Sequence, residues 1–489
     1  MTSAPTASRV AHLARPVLPP GFLWLAGLVV AAVVVGALTI VNPIYSIGLV
    51  LAAAVALIVA ADVKTLPLFL VFTMFVESLA LGPGLRIGRL AGAMALVVLA
   101  YYVVARGWAG LRPNALLLVA AAYGFWTVTS AFWADETSFV YTVVFSYFLA
   151  TAYMLSFAVF VRTTRQLKAI FATYAVGSLI FGIVSFITYY ASSGEQRGSG
   201  FQGDPNYFAV YQVLALPAAL ALSAFERRPQ LRLVYYTIVG VIILSVVSSL
   251  SRTGLIALSA VVAATLFLPW RTFFRSAGQK VTYFFALALA SGTAVLIGST
   301  TFVARAQSIL NPESSATSGY RGSGRLDLWG AAVNGWHQHP WLGLGAGNFE
   351  PKALDLLQTT PGVNTTAGYV YENRVVHNAY LETLTELGPV GFALFIGVIL
   401  LTAWYFVASF RRARAAHETA LSRFSLALFV ALIGYALSAI FLSNQLSRAL
   451  WILVGLALAI DVMSKRIERE RRGELVAPPR PRPPELAVP

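Results

Sequence analysis

Three of the chain's five histidines, His337, His339 and His377, fall in the one long interior interval that is not dominated by apolar runs, residues 301–387. His377 stands in Val375-Val376-His377-Asn378-Ala379-Tyr380-Leu381-Glu382, where a helical pattern begins. Imidazole is the side chain that is substantially neutral near pH 7 and able to take a proton, so His377 is a candidate general base. Arginines supply the complementary chemistry. Arg197 lies in R-G-S-G-F-Q-G-D-P-N, Arg252 in S-R-T-G, and Arg321 and Arg325 follow in the long interval, the latter opening R-L-D-L-W. A guanidinium fork binds oxyanions bidentately and stays charged at any relevant pH. The glycines after Arg197 let backbone amides approach an anion, and the N-terminus of the next helix favours negative charge. Taken singly, Arg197 and Arg252 read as snorkelling interfacial cations.

Other chemistries are narrowed by composition. With no cysteine, thiolate catalysis and Cys-ligated metals are excluded. The six aspartates, at 62, 135, 204, 327, 355 and 461, form no D-x-D pair, and His337 and His339 lack a third ligand at suitable spacing. No metal and no cofactor is expected, and these two histidines read as loop-packing residues beside a Pro-Trp turn.

The elements that must position these groups are membrane helices. Hydrophobic residues make up 58% of the chain and charged ones 11%, against about 25% charged in an average soluble domain. About 20 apolar residues cross a bilayer, and apolar stretches recur near 21–40, 45–61, 66–81, 90–105, 114–132, 142–161, 168–191, 207–225, 232–250, 253–269, 282–299, 387–408, 424–442 and 447–463. The expected fold is all-α, a polytopic helical membrane protein of about 12–14 transmembrane helices. Placing the N-terminus in the cytoplasm puts most of the 35 Lys and Arg residues on the inner side. Expected regions are a cytoplasmic segment 1–20, helices with short loops 21–300, a large outward loop with short helices 301–386, helices 387–463, and a basic, Pro-rich cytoplasmic tail 464–489. The net charge of +15 is therefore explained by the inner face and anionic lipid headgroups, with no nucleic-acid partner implied. Glu77, in the short stretch 66–81, is an ionisable group of the kind that faces a bundle interior or cavity.

Within the outward loop, Leu328, Trp329, Ala332 and Val333 recur at helical spacing, predicting an amphipathic helix against the membrane surface. Residues 351–374 show no clear period and read as a flap. Asp135 and Glu136 read as a hydrated outer loop. Glu382 and Glu386, four apart, share one helix face, either facing solvent or orienting His377 or a ligand.

The ordered set R-G-S-G-F-Q-G-D-P-N-Y-F-A, S-R-T-G, R-L-D-L-W, H-P-W-L-G-L-G-A-G-N-F and H-N-A-Y-L-E-T-L-T-E-L-G-P-V-G resembles the O-antigen ligase family, within a wider ligase and polymerase superfamily. The likeness covers roughly residues 195–400 by motif and the remainder by hydropathy. It implies a bacterial inner-membrane enzyme acting on the periplasmic face, with an undecaprenyl-diphosphate-linked glycan as donor and a lipid or glycan, such as lipid A-core, as acceptor. It makes His377, Arg325 and Arg252 the catalytic candidates. Arg197, Arg321, Asn206, Asn378 and Glu382 become candidates to hold diphosphate or glycan. The chain departs from such ligases in having more apolar stretches. Without a metal, the charge developing on a diphosphate leaving group needs fixed cations, and a hydroxyl attacking the anomeric carbon needs a base. A single displacement inverts the anomeric configuration. Two other functions stay open: a surface-polysaccharide polymerase of the same superfamily, and a transporter or flippase of lipid-linked glycans. Arginines gathered on one face, with few charges at mid-span, count against transport.

Overall fold

The computed structural model describes residues 58–59, 61–82, 85–106, 113–193, 196–269, 272–297, 324–364 and 374–474. The expected spans 21–40 and most of 45–61, together with Arg321, lie outside them. The chain divides into two units, Met1–Ala61 and Asp62–Pro489.

The second unit is an all-α membrane bundle with one small hairpin. Helix α1 (Leu66–Thr73) leads through tight turns to β1 (Ala80–Gly82) and β2 (Leu85–Arg86), an antiparallel pair. There follow α2 (Ile87–Arg106), α3 (Ala115–Thr129), α4 (Thr137–Phe160), α5 (Thr164–Ala191), α6 (Pro205–Phe225), α7 (Pro229–Ser248), α8 (Arg252–Phe267) and α9 (Ala277–Ile297). The interval between α9 and the last three helices supplies α10 (Arg325–Gln338) and α11 (Phe349–Thr359), and the bundle is completed by α12 (Ala379–Ala415), α13 (Thr419–Ser438) and α14 (Arg448–Arg471). Eight helices among the described residues are long and apolar enough to cross a bilayer. The stretch expected to span 66–81 is helical only to Thr73. Beyond it the Glu77 carbonyl accepts from Gly88 N–H at 3.0 Å, and the Glu77 carboxylate is held by Tyr211 Oη at 2.7 Å and Arg448 Nε at 3.2 Å. An ionisable group so placed ends the span early, because its partners come from α6 and α14.

Helix α6 is the axis. Its run of Ala and Leu has no polar face, and it is buried along nearly its whole length between α5, α7, α8 and α13. Small residues let those neighbours approach closely. Asp204 caps its start, accepting from Asn206 N–H at 2.6 Å and Tyr207 N–H at 3.3 Å, and Pro205 sits in the first turn, where no amide hydrogen is needed.

Helix α12 is bent where Gly388 adopts φ +65° and Pro389 interrupts the ladder. The segment 341–347 docks in that bend. Leu344 and Gly345 N–H donate to the carbonyls of Thr385 and Glu386 at 2.9 and 2.8 Å, and the Glu386 carboxylate accepts from Gly347 and Phe349 N–H at 2.8 and 3.2 Å. The alternating glycines are thereby explained: Gly343, Gly345 and Gly347 all have φ between +73° and +94°. Glu386, open to a solvent-facing reading from sequence, is buried in this joint.

Part of the stretch expected to be a flap is helical, and residues 365–373 of it lie outside the described residues. Helix α11 covers the start of the stretch expected to lack periodicity, and its buried Phe349, Ala353, Leu356 and Leu357 do recur at helical spacing. Pro351 falls in the first turn, where a helix tolerates it. The expected amphipathic helix is α10. Its buried face of Leu328, Ala331, Ala332 and Gly335 packs on α11 and α12, so a protein core covers it. Asp135, expected in a hydrated loop, pairs with Lys352 of α11, whose hydrogen bond and charge hold that carboxyl below its ordinary range.

Candidate functional site

The site is built where the ends of α6, α7, α8, α12 and α13 meet. Asn206 of α6 is the first fastening. Its Oδ1 accepts from Arg197 Nη2 at 3.1 Å and from Ser251 Oγ at 2.9 Å, while Arg197 Nε donates to the Ser249 carbonyl at 2.9 Å. Ser249 is the C-terminal cap of α7, so Arg197 also offers a cation to a helix C-terminus. Arg197 and Asn206, expected to hold substrate, are placed as the clasp between the glycine loop and the α7–α8 turn. The first-turn amides of α6 are taken by Asp204, so that helix start is not open to an anion. The glycines serve packing as well: a Cβ at Gly198 would overlap Ser185 of α5.

That clasp sets Arg252. The turn before it passes through Leu250 at φ +50°, and Ser251 caps α8 by accepting from Gly254 N–H at 3.1 Å. Arg252 is half-buried in the first turn of α8. Its charge is felt by Arg325, at the first turn of α10. Burial, and then the like charge of Arg252, pull the Arg325 guanidinium below its ordinary range, with Asp204 opposing.

His377 lies in the same field. Burial, then the charge of Arg325, and after it Arg374, lower its imidazole from 6.5 to about 4, with Asp204 opposing. The imidazole is therefore neutral near pH 7. Its backbone is in the left-handed region, φ +56°, which non-glycine residues seldom adopt. Asn378 follows as the N-cap of α12, its Oδ1 accepting from Tyr380 and Leu381 N–H at 3.1 and 3.0 Å. The amide oxygen of Asn378 is thus committed to fixing the turn that carries His377.

The α13–α14 connection closes the site, and no sequence pattern singled it out. His377 N–H donates to Ser443 Oγ at 3.0 Å, and Ser443 Oγ donates to Glu382 Oε2. Glu382 Oε1 accepts from Gln445 Nε2 at 2.8 Å, and the Ser443 carbonyl accepts from Tyr207 Oη at 2.6 Å. Beside this connection opens a cavity of about 620 Å³, lined in part by Asp204, Tyr207, Val375, Glu382, Ser443 and the Glu77–Arg448 pair. Arg252, Arg325, Arg374 and His377 are not among its lining residues; the cavity wall is rich in carboxylates, amides and hydroxyls, with Arg86 and Arg448 as its cations.

Of the residues expected from sequence, the structure thus brings His377, Arg325 and Arg252 into one electrostatic cluster and sets Arg197, Asn206, Asn378 and Glu382 around it in hydrogen-bonded supports. Asp204, Arg374, Tyr207, Ser443 and Gln445 were missed. Arg374, three residues before His377, was the most findable by type. His337 and His339 stand apart at the end of α10, and among the described residues no group of three or more ligating side chains could hold a metal ion.

Residues 237–396 match the family described as O-antigen ligase. This stretch, about a third of the chain, is similar to the O-antigen ligase family. The matched stretch runs from α7 into α12 and so includes Arg252, Arg325, Arg374 and His377. Arg197, Asn206 and Ser443 lie outside the O-antigen ligase match and reach it through the contacts above. No curated protein matches the chain.

Proposed function

We propose that this protein transfers a glycan en bloc from an undecaprenyl diphosphate carrier to a hydroxyl of a lipid or glycan acceptor, on the extracytoplasmic face of the cytoplasmic membrane. The observation that carries this reading is a half-buried, neutral His377 in the field of Arg325 and Arg374, with Arg252 acting in turn on Arg325, beside a polar cavity large enough for sugar units. In the proposed step His377 takes the proton of the acceptor hydroxyl as its oxygen attacks the anomeric carbon. The bond from that carbon to the diphosphate oxygen breaks, and its electron pair leaves with the carrier. Arg325 and Arg252 balance the charge that develops there.

The low proton affinity of His377 in the free protein fits this order of events. A base is most effective when its pKa lies near the working pH, and about 4 is low. A bound diphosphate would offset the arginine charges and raise the imidazole toward its ordinary value. The donor thereby completes the base that uses it. Direct displacement predicts inversion at the anomeric carbon.

The test is reconstitution with a synthetic undecaprenyl-diphosphate glycan and candidate acceptors, comparing wild type with His377→Ala. Transfer in wild type, lost in the variant and giving an inverted linkage, is expected. Transfer that persists in the variant removes His377 from the step, and movement of the donor across the bilayer without transfer replaces the reading by transport.

A further inference from the structure

We propose that Ser443, oriented by Glu382, is a positioning residue that holds His377 in its reactive conformation. The inference rests on the reading of His377 as the base.

His377 lies two residues before the first helical residue of α12, outside the helix ladder, so its amide needs an acceptor from elsewhere. Ser443 Oγ is that acceptor, at 3.0 Å. A hydroxyl rotates freely unless its own hydrogen is claimed, and here Glu382 Oε2 claims it. Glu382 is fixed in turn, because Gln445 Nε2 holds its other oxygen at 2.8 Å and the side chain is buried. The backbone around Ser443 is anchored from three sides. Tyr207 of α6 donates to its carbonyl, Ala379 N–H donates to the carbonyls of Ala439 and Leu442 at 2.8 and 2.9 Å, and Tyr380 Oη donates to Ala436 at 2.7 Å.

The left-handed backbone at His377 gives this chain of bonds its purpose. Such a conformation costs a non-glycine residue and persists only where its surroundings over-determine it. Without the Ser443 hydroxyl, the amide loses its acceptor and the turn loses its brace. The imidazole then relaxes out of its half-buried place beside Arg325, although every group proposed to touch substrate is still present. A residue 66 positions away in sequence would thus decide the geometry of the base.

The test pairs turnover with a direct titration. His12, His337, His339 and His417 are replaced by Gln, and His377 is followed by NMR in the full-length, detergent-solubilised protein labelled with ¹³C-histidine. In Ser443→Ala the titration is expected to move up from about 4 toward the ordinary imidazole value. Transfer should lose roughly 10- to 100-fold in kcat, as a displacement of about 1 Å at a reacting group does, with KM for the lipid-linked donor within about twofold. Ser443→Thr, which keeps the hydroxyl, should restore both. Glu382→Gln, which keeps the shape but loses one acceptor, should shift both in the same direction by less, and it carries the test if the alanine variant does not fold. An unmoved titration in Ser443→Ala, or unchanged kcat, overturns the proposal. A moved titration in a protein that transfers no glycan would leave the positioning role standing and overturn the assigned reaction.

Discussion

At His377 the sign of the electrostatics sets a pH profile. In the free protein the imidazole takes up a proton only well below the usual range, so kcat/KM should hold until the pH falls through about 4. Once a diphosphate offsets Arg325 and Arg374, the imidazole is more basic, and the acid limb of kcat should lie at higher pH than that of kcat/KM. A pH-rate series on the reconstituted protein checks this, and coincident limbs would contradict it. Arg325→Gln removes the second-largest cause of the depression, after burial. Its acid limb of kcat/KM should therefore rise toward 6.5, with KM for the donor raised as well. The same linkage acts on folding. A histidine whose folded value is depressed contributes stability in full above its unfolded value, and that contribution is lost as pH falls from about 6.5 toward about 4.

Loop and helix meet at the glycine segment 343–347, and two of the chain's glycines separate strain from overlap. Gly345 has φ +94°, and a Cβ there would overlap Ala134. Gly203 has φ +75° with open space around the added atom. Gly203→Ala should cost about 1 kcal/mol from the left-handed backbone alone, while Gly345→Ala should cost more, on the order of 2–3 kcal/mol. Thermal unfolding in detergent should rank Gly345→Ala below Gly203→Ala and both below wild type; equal midpoints for the two variants would show that the 341–347 docking adds nothing. This joint marks what the sequence could and could not disclose. The helices, the H-N turn and the arginine motifs were legible because each is carried by local periodicity or local residue type. Glu386 was not legible as a buried brace, since its partners are amides 37 and 39 residues away. Ser443 escaped for the same reason: a serine between two apolar stretches has no local signature, and only the folded bundle sets its hydroxyl under the His377 amide.

Across the whole bundle, charge and helix direction agree on an orientation. The site gathers the starts of α6, α8, α12 and α14 and the ends of α5, α7 and α13. The opposite ends carry cations that cap carbonyls: Arg423 Nη1 and Arg275 Nη2 donate to Ala224 and Phe225 of α6 at 2.9 and 3.0 Å, and Arg471 Nη1 donates to Ala415 at the end of α12 at 2.8 Å. Cations at helix C-termini are favourable in themselves, and an excess of Lys and Arg marks the cytoplasmic side of a membrane protein. The His377 end should therefore face away from the cytoplasm, where a lipid-linked donor of the proposed kind would be presented. The absence of cysteine makes this directly measurable, since a single introduced thiol is the only one in the chain. Trp341, 78% exposed beside the α12 bend, and Arg227, exposed at the far end of α6, are suitable positions. In spheroplasts, Trp341→Cys should react with a membrane-impermeant maleimide, and Arg227→Cys should react only after the membrane is permeabilised. The reverse pattern would turn the bundle over and, with it, place the His377 cluster on the side where the proposed donor is not delivered.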